Sequence, residues 1–350
     1  MNAPKKRGLM LNINTICNFK CTYCYQAEQN SLATGRQIDE DTLSGILQLL
    51  RNNQAITFVQ IFGGEPLLSE KTILILCQLA EEENSQRASE YHIHLQIVTN
   101  GSIFPEWLYP YKHLVTLQVS IDGGRENHDK YRRDVKDQGT YDSIIETIDK
   151  LYDAEFSFHL HSVVNNIKPW MQSLRTLSTN LKDREISFGY QWNMSSTSVF
   201  NDIYNYLYLH HRALPWIKKH TSLRIRSPFE RESDSPICYG GDGFLAINSI
   251  GQVYTCEVES PEFHAGTILP SGQISFVPTY TKDIEDRVNQ DKYRFHYLPR
   301  FLSQKILNKA ASYYTLCNIR NKQLTGDQFI APFRDLFQLW VYRKRRSLNV

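Results

Sequence analysis

The sequence has no long hydrophobic run. None of its 350 residues lies in a stretch of about 18 uninterrupted apolar positions, the length that a membrane-spanning helix needs. The first residues, MNAPKKRGLMLNINTICN, also lack the apolar core of a signal peptide. The sequence therefore predicts neither a membrane span nor export, which fits a cytoplasmic protein with reduced thiols.

The sequence also lacks an excess of charge. A formal net charge of +2 gives no electrostatic argument for a nucleic-acid partner. The basic runs PKKR and YRKRR lie at the two ends, where we expect solvated tails, an acidic partner being the alternative. With 41% hydrophobic and 12% aromatic residues, the chain is expected to be a folded globular protein. Its length of 350 residues suggests two domains or one large domain with an appendage.

Cysteine is scarce, yet three of the seven cysteines lie close together in the segment ICNFKCTYCYQ. Cys17, Cys21 and Cys24 are too closely spaced for a self-contained disulfide framework, and their number is odd. Three thiolates can hold three irons of a 4Fe-4S cluster and leave the fourth iron open. The alternatives are a zinc site that lacks its fourth ligand, or buried free thiols.

Short β-rich runs alternate with longer helical windows, which predicts βα units around a parallel sheet. Six such units indicate an α/β fold, a partial (β/α)6 TIM-type barrel. The predicted strands are Leu9 to Asn14, Ile56 to Ile61, His92 to Val98, Thr116 to Ile121, Phe156 to Val164 and Ile186 to Tyr190. The predicted helices are Glu40 to Arg51, Glu70 to Glu83, Tyr141 to Asp153 and Pro169 to Asn180.

The pattern changes after Tyr190. A tyrosine-rich helical window, Asp202 to His220, is followed by a charged stretch with prolines, Arg224 to Pro236, which we interpret as a boundary. Two short β runs, Phe244 to Asn248 and Gln252 to Thr255, then predict a hairpin. We therefore expect a barrel domain over residues 1–223 and a smaller hairpin-containing module with a helical, basic tail over residues 224–350.

Two further motifs follow predicted strands, and together with the cysteines they carry a resemblance. GGEP, Gly63 to Pro66, follows the second strand, and SIDGGRENHDKYRR, Ser120 to Arg133, follows the fourth. In this order the three motifs resemble those of the radical S-adenosylmethionine (radical SAM) enzymes. More narrowly, they are similar to the branch with C-terminal SPASM or twitch modules that modifies peptides and proteins. The resemblance covers about the first 190 residues strongly and the rest weakly.

The resemblance implies a role for each motif. Cys17, Cys21 and Cys24 would ligate a 4Fe-4S cluster whose open iron chelates S-adenosylmethionine. Gly63 and Gly64 would let the backbone approach that cofactor, because neither has a Cβ. Reduction would then give a 5′-deoxyadenosyl radical that takes a hydrogen atom from an unactivated carbon.

The resemblance also implies contacts from single side chains. Glu65 would accept hydrogen bonds from the ammonium group of the cofactor, and Ser120 would bind its ribose or carboxylate end. Arg132 would pair with the cofactor carboxylate. Tyr23 would pack on the adenine, whereas Asp122 would shape its turn. Taken one at a time, these residues also fit a plain βα turn, a capping turn or a surface ion pair.

The predicted hairpin is flanked by Cys238 and Cys256, with Gly251 between them, as at the start of a SPASM or twitch module. The expected dense series of later cysteines is missing, because only Cys317 follows. The resemblance therefore implies at most one auxiliary cluster, held by Cys238, Cys256 and Cys317. The alternative is a hairpin without a cluster.

Other polar residues carry weaker predictions. Glu257 follows Cys256, where related sulfatase maturases have an aspartate that accepts a proton, so Glu257 is either a general base or a solvated side chain. Cys77 lies in an apolar helical window and is expected in the core. His159 and His161 alternate along a strand and therefore share one face, where we expect a core or substrate-lining role.

We expect the enzyme to oxidise a peptide or protein side chain, for example by forming a crosslink. A small molecule or tetrapyrrole substrate, or a non-catalytic iron-sulfur protein, is the alternative. The expected partners are the substrate and a reductant such as flavodoxin or ferredoxin. Because Cys17 lies so close to the start, we expect no leader-binding domain before the barrel. A separate leader-binding protein would then bring the peptide to the enzyme, or the enzyme would bind the peptide directly in a groove with Tyr204 to His211 as one wall. The alternative for this window is an amphipathic core helix.

Overall fold

The described part of the chain contains one sheet of eleven strands, with helices between several of them. The computed structural model describes residues 6–28, 35–192, 213–226, 244–254 and 264–277. The strands are β1 (Arg7–Asn12), β2 (Ile56–Phe62), β3 (His94–Thr99), β4 (Val115–Ser120), β5 (Phe158–Val164), β6 (Ser187–Trp192), β7 (Arg224–Arg226), β8 (Phe244–Ile247), β9 (Gln252–Tyr254), β10 (His264–Ile268) and β11 (Ile274–Phe276). The helices are α1 (Tyr25–Glu28), α2 (Glu40–Asn52), α3 (Glu70–Asn84), α4 (Arg125–Tyr131), α5 (Tyr141–Asp153), α6 (Ile167–Asn180) and α7 (Leu214–His220).

The strands β1 to β7 are parallel and follow one another in the sheet in chain order. With α2, α3, α5 and α6 among the connections, this is the partial TIM-type barrel that the sequence predicts. All six predicted strands and all four predicted helices are present, with ends shifted by a few residues. The analysis missed β7, because Arg224–Arg226 begins the stretch that we interpreted as a boundary.

The two faces of the sheet differ in chemistry. On one face, apolar side chains such as Val59, Leu95 and Leu117 are completely buried and form a core with the helices. On the other face, the alternate side chains of β2, β3 and β4 are mostly polar and half-buried. This alternation follows from the two-residue period of a strand, and it leaves a polar face of these three strands inside the barrel.

The predicted hairpin is confirmed, since β8 and β9 pair antiparallel. However, β8 also pairs in parallel with β1, so the hairpin strands continue the barrel sheet. β10 and β11 extend this edge further. The division into domains 1–223 and 224–350 stays a prediction. In the described residues, no helix is long and apolar enough to cross a membrane.

Gly45, in the middle of α2, contacts the turn that joins β10 to β11. A Cβ at this position would lie 2.5 Å from the carbonyl oxygen of Leu269 and 3.1 Å from Cγ1 of Ile268. Moving a backbone atom that lies so close would disturb the packing around it. The turn can therefore pack on the helix because residue 45 is a glycine.

We expect Gly45→Ala to lower the thermal unfolding midpoint. Alanine in a helix normally gains about 1 kcal/mol over glycine, but overpacking costs about 1–3 kcal/mol, so the clash should outweigh the propensity. Ser44→Ala, at an exposed position of the same helix, is the matched control. A midpoint for Gly45→Ala at or above that of the control would show that the turn yields without cost.

Candidate cofactor site

The three sequence motifs meet at one edge of the barrel. The cysteine loop follows β1, the Gly63–Gly64 turn follows β2, and Asp122 follows β4. Because the carboxyl ends of parallel strands lie at the same edge, residues far apart in sequence become neighbours there. Hydrogen bonds from Asn100 to Asn18 and from Ser102 to Asn100 add the turn after β3 to this edge.

The two glycines bring the β2 turn against the cysteine loop. A Cβ on Gly64 would lie 2.1 Å from the Ile16 carbonyl oxygen, and one on Gly63 would lie 2.5 Å from that of Asn14. The Glu65 N–H donates to the Ile16 carbonyl at 2.7 Å, and the Gly64 N–H donates to the Asn14 carbonyl at 3.0 Å. The glycines therefore let the backbone approach the cysteine loop itself; their approach to a cofactor stays a prediction.

N–H groups surround the cysteine sulfurs. The Phe19 N–H lies 3.4 Å from Sγ of Cys17, and Nδ2 of Asn100 lies 3.9 Å from the same atom. Nη1 of Arg132 lies 3.9 Å from Sγ of Cys21. Such donors stabilise sulfur that carries negative charge, as cluster ligands do.

The donor set fits a cluster with one open iron. The pKa of Cys17 is raised to about 12, chiefly by burial; the Phe19 N–H opposes this rise, and the nearby Glu65, Cys21 and Cys24 add to it. Burial also raises the pKa of Cys21, and the nearby positive charge of Arg132 partly opposes this rise. Iron would have to displace these protons, since only thiolates ligate it. No three Cys, His, Asp or Glu side chains of the described residues converge to hold a single metal ion.

Glu65 is completely buried, and its hydrogen bonds hold neighbouring turns of the site together. Its carboxylate accepts from the Leu67 N–H at 3.0 Å, the Thr99 hydroxyl at 2.8 Å and the Asn100 N–H at 2.7 Å. Burial raises the pKa of Glu65, the three hydrogen bonds and Arg132 oppose the rise, and the net pKa is about 7. Three of its roughly four acceptor positions are therefore used to join the ends of β2 and β3, and the predicted contact with an ammonium group would rest on the remaining one.

Asp122 is the centre of a buried network that links the cysteine loop to β5. Its carboxylate accepts from Nε of Arg132 at 3.1 Å, from the Tyr23 hydroxyl, and from the Val163 N–H at 2.9 Å. The Arg132 guanidinium also lies 5.4 Å from the centre of the Tyr23 ring, in a cation–π contact. Asp122 thus does more than shape its turn, because it orients both Arg132 and Tyr23.

Ser120 ends β4 on the polar face and is half-buried. Its hydroxyl makes no hydrogen bond to any residue that the structure describes, so the hydroxyl is available to a ligand. The remaining predicted residues, Cys238, Cys256, Glu257 and Cys317, lie outside the described residues, as do 202–212 of the tyrosine-rich window. The rest of that window contains α7 (Leu214–His220).

His128 is a site residue that the sequence analysis missed. The Asp122 N–H donates to its Nδ1 at 3.2 Å, and its Nε2 lies 3.0 Å from the Thr140 hydroxyl. That hydroxyl in turn donates to the Arg132 carbonyl at 3.2 Å, so Nε2 carries the proton and the imidazole bridges Asp122 to Arg132. The sequence feature that could have indicated this role is that His128 lies four residues before Arg132, a spacing that puts both residues on one face of a helix.

We expect the stability of the protein to fall at acid pH because His128 cannot take up a proton. Burial lowers its pKa to about 3, whereas the unfolded imidazole titrates near about 6.5. Between these values the unfolded chain binds more protons, so the stabilisation is complete above pH 6.5 and declines towards pH 3, by up to about 1.4 kcal/mol per pH unit. His161, which is half-buried and whose pKa desolvation lowers to about 4, acts in the same direction.

Thermal midpoints from pH 7.5 to 4.5 test this expectation. His128→Asn, which can still accept the Asp122 N–H, should lower the midpoint at pH 7.5 and reduce its decline with acid. His113→Asn removes a histidine whose side chain is 57% exposed and should leave the decline unchanged. Identical pH profiles for wild type and His128→Asn would contradict the buried, neutral state of His128.

The geometry places three thiols beside a buried arginine–aspartate pair at the edge of a partial α/β barrel. Comparison with known proteins finds a similar superfamily for this part of the chain. Residues 11–171 match the Radical SAM superfamily. The match covers a little under half of the chain and includes the three cysteines, so the chain is similar to radical SAM enzymes of the SPASM/twitch maturase type, whose cofactors are a 4Fe-4S cluster and S-adenosylmethionine.

Two curated relatives have different activities. A cysteine-type anaerobic sulfatase-maturating enzyme of Clostridium novyi (strain NT) is 28% identical over 160 residues, 43% of this chain and 41% of the relative. An S-adenosylmethionine-dependent nucleotide dehydratase of Fibrobacter sp. (strain UWH6) is 31% identical over 120 residues, 32% of each chain. The chain therefore spans less than half the length of these relatives.

A solved structure shows the same fold. Native anSMEcpe with bound AdoMet has a TM-score of 0.68 at 15% identity and covers 90% of this chain and 97% of its own. The same protein with bound AdoMet and the Cp18Cys peptide has a TM-score of 0.63 at 15% identity, with the same coverage. At this identity the likeness concerns the fold alone.

Proposed function

We propose that the protein reductively cleaves S-adenosylmethionine and uses the resulting 5′-deoxyadenosyl radical to take a hydrogen atom from a peptide or protein side chain. The observation that carries the proposal is the meeting of the three-cysteine loop, the GGEP turn and the Asp122–Arg132 pair at one barrel edge. When bound, the cluster supplies one electron to the sulfonium of the cofactor. A reductant such as flavodoxin or ferredoxin would provide that electron.

The residues of the chain hold and orient the reactants. Arg132, oriented by Asp122, would pair with the cofactor carboxylate, and Tyr23 would pack on the adenine. The Ser120 hydroxyl would bind the ribose or carboxylate end from the polar face. Fixed in this way, the 5′ carbon would lie close to one C–H bond of the substrate, and most of the rate would come from that positioning.

Support for a peptide substrate comes from the relatives. The sulfatase-maturating enzyme acts on a protein by its name, and anSMEcpe has been solved with a bound peptide. The net oxidation would leave the substrate two hydrogens poorer, as in a crosslink. Cys238, Cys256 and Cys317 would hold an auxiliary cluster, which could supply an electron acceptor for this oxidation, and Glu257 would accept the proton. A small-molecule substrate is the second candidate, because the nucleotide dehydratase is a relative too.

Anaerobic turnover tests the proposed function. The reconstituted protein, given S-adenosylmethionine and dithionite, should form 5′-deoxyadenosine and methionine, and absence of both products would refute the proposal. Iron analysis tests the auxiliary cluster: about eight irons per chain should fall to about four in a Cys238→Ala, Cys256→Ala variant. About four irons in both proteins would leave the hairpin without a cluster.

A neighbouring gene for a short precursor peptide would favour the peptide substrate. Binding of that peptide with and without its leader would then test recruitment by a separate leader-binding protein. Equal binding of both forms to the enzyme alone would contradict leader-dependent recruitment. Binding of neither form would favour the small molecule.

A further inference from the structure

Asn100 follows β3 and lies against the cysteine loop, and its side chain has a defined orientation. The residue is only 7% exposed. Its backbone N–H donates to Oε2 of Glu65 at 2.7 Å, and its Oδ1 accepts from the Ser102 N–H at 2.9 Å. Because a backbone N–H can only donate, this second bond identifies the oxygen of the amide. The amide nitrogen must therefore point the other way.

The amide nitrogen of Asn100 points at the cysteine loop. Nδ2 lies 2.8 Å from Oδ1 of Asn18 and 3.9 Å from Sγ of Cys17. An amide nitrogen carries two hydrogens, so it can donate to both atoms at once. The donation to sulfur gains strength when Cys17 is a thiolate, since hydrogen bonds to charged acceptors are stronger than those to neutral ones.

This donor differs from the other two N–H groups near the cysteine sulfurs. The Phe19 N–H, 3.4 Å from Sγ of Cys17, belongs to the backbone, and any residue except proline would supply it. Nη1 of Arg132 lies 3.9 Å from Sγ of Cys21, but the predicted partner of that guanidinium is the cofactor carboxylate. The Asn100 amide, in contrast, depends on the residue type and is not needed for the cofactor.

A fixed donor at a ligand sulfur favours the reduced state of an iron-sulfur cluster. Reduction adds one electron, which the reductant supplies, and so one negative charge to the cluster and its thiolates. N–H groups directed at those sulfurs stabilise the added charge and raise the reduction potential. The bonds of Asn100 to Glu65, Ser102 and Asn18 hold the amide in place before the charge arrives, so no reorientation is needed.

We propose that Asn100 sets the reduction potential of the cluster, because its side-chain amide stabilises the reduced state through Sγ of Cys17. The inference rests on the proposed function, since it requires the cluster that the three cysteines would hold. Asn100 is a positioning residue in this role, because it acts through a cysteine ligand and not on the reacting atoms. Without the amide, the same reductant would reduce a smaller fraction of the protein.

Redox potentiometry of the reconstituted full-length protein, followed by electron paramagnetic resonance, tests the inference. The signal to follow is the one that S-adenosylmethionine alters, because the cofactor binds the open iron. Asn100→Asp keeps the size of the side chain and the acceptor for the Ser102 N–H, but it replaces both donors with a carboxylate. It should lower the equilibrium constant for reduction about tenfold, a downward shift of about 59 mV for one electron. Asn100→Ala, which adds no charge, should give a smaller shift in the same direction.

Asn18→Ala separates the potential from the structural link between the two segments. It removes the other half of the amide–amide bond, so the turn after β3 loses the same tie to the cysteine loop. Nδ2 of Asn100 nevertheless stays beside Cys17, because the Ser102 N–H still holds Oδ1. The potential of Asn18→Ala should therefore equal that of the wild type.

Asn53→Asp is the matched control for the added charge. Asn53 lies between α2 and β2, at the opposite end of the barrel from the cysteine loop, and aspartate can still accept the Ala55 N–H there. This variant should also keep the wild-type potential. Equal potentials for the wild type and Asn100→Asp, or an equal downward shift in Asn18→Ala, would overturn the inference.

Iron content, measured first, distinguishes failure of the inference from failure of the proposed function. A wild-type protein without iron, or without a signal that S-adenosylmethionine alters, would refute the proposed function and the inference with it. Loss of iron in both Asn100 variants alone would show that Asn100 holds the cysteine loop and does not tune the potential, which overturns the inference. An intact cluster with an unshifted potential would refute the inference and leave the proposed function standing.

Discussion

A variant in which Cys17, Cys21 and Cys24 are all alanine is expected to lose about four irons per chain and all cleavage of S-adenosylmethionine. The physical reason is that a thiolate ligates each of three irons, and no other Cys, His, Asp or Glu group in the described residues is arranged to replace them. Iron and sulfide analysis, with detection of 5′-deoxyadenosine after anaerobic reduction, measures both losses.

Cys77→Ala is the matched control for this variant. Cys77 is a buried thiol on α3 inside the hydrophobic core, whereas Cys17, Cys21 and Cys24 are half-buried. Its pKa is raised to about 12 by burial, as that of Cys17 is, so burial alone does not distinguish the two thiols. Cys77→Ala should keep its iron and its activity. Cleavage by the triple variant at the rate of this control would show that the cluster is bound elsewhere.

The sequence predicted most of the fold because both sources of order are local. The period of apolar residues distinguishes strands from helices, and the alternation of the two indicates parallel βα units. The analysis did not predict the short strand β7, because three residues, two of them arginine, are too few to show a period of apolar residues. Pairing with β6 supplies its order, and pairing between distant segments is not visible in a single sequence.

The cysteine loop could also be predicted, since its spacing is visible in the sequence. The contacts of the other motifs could not be predicted, because they depend on which distant segments of the chain lie next to each motif in the fold. Gly64 resembled a cofactor contact, yet the atom nearest to its missing Cβ belongs to Ile16 of the cysteine loop. Similarly, His128 stands inside a motif that the sequence analysis used, but its role requires knowing that Thr140 lies behind it.

Asp122→Asn is expected to be among the most damaging single substitutions in the described residues. Asp122 is completely buried, and the Arg132 side chain that it pairs with is only 9% exposed. Asparagine keeps the size and the acceptor for the Val163 N–H, but it leaves the guanidinium without a counter-charge. Breaking a buried pair in this way costs about 3–5 kcal/mol. Thermal unfolding and titration with S-adenosylmethionine measure the consequences.

A second substitution separates the structural part of this effect from the cofactor-binding part. Asp122→Asn with Arg132→Met removes the unpaired charge, so part of the lost stability should return. Affinity for S-adenosylmethionine should not return, because the double variant has no guanidinium for the cofactor carboxylate. Asp142→Asn, which breaks the exposed pair with Arg125, should change neither property appreciably. Recovery of affinity together with stability would mean that Arg132 only supports the fold.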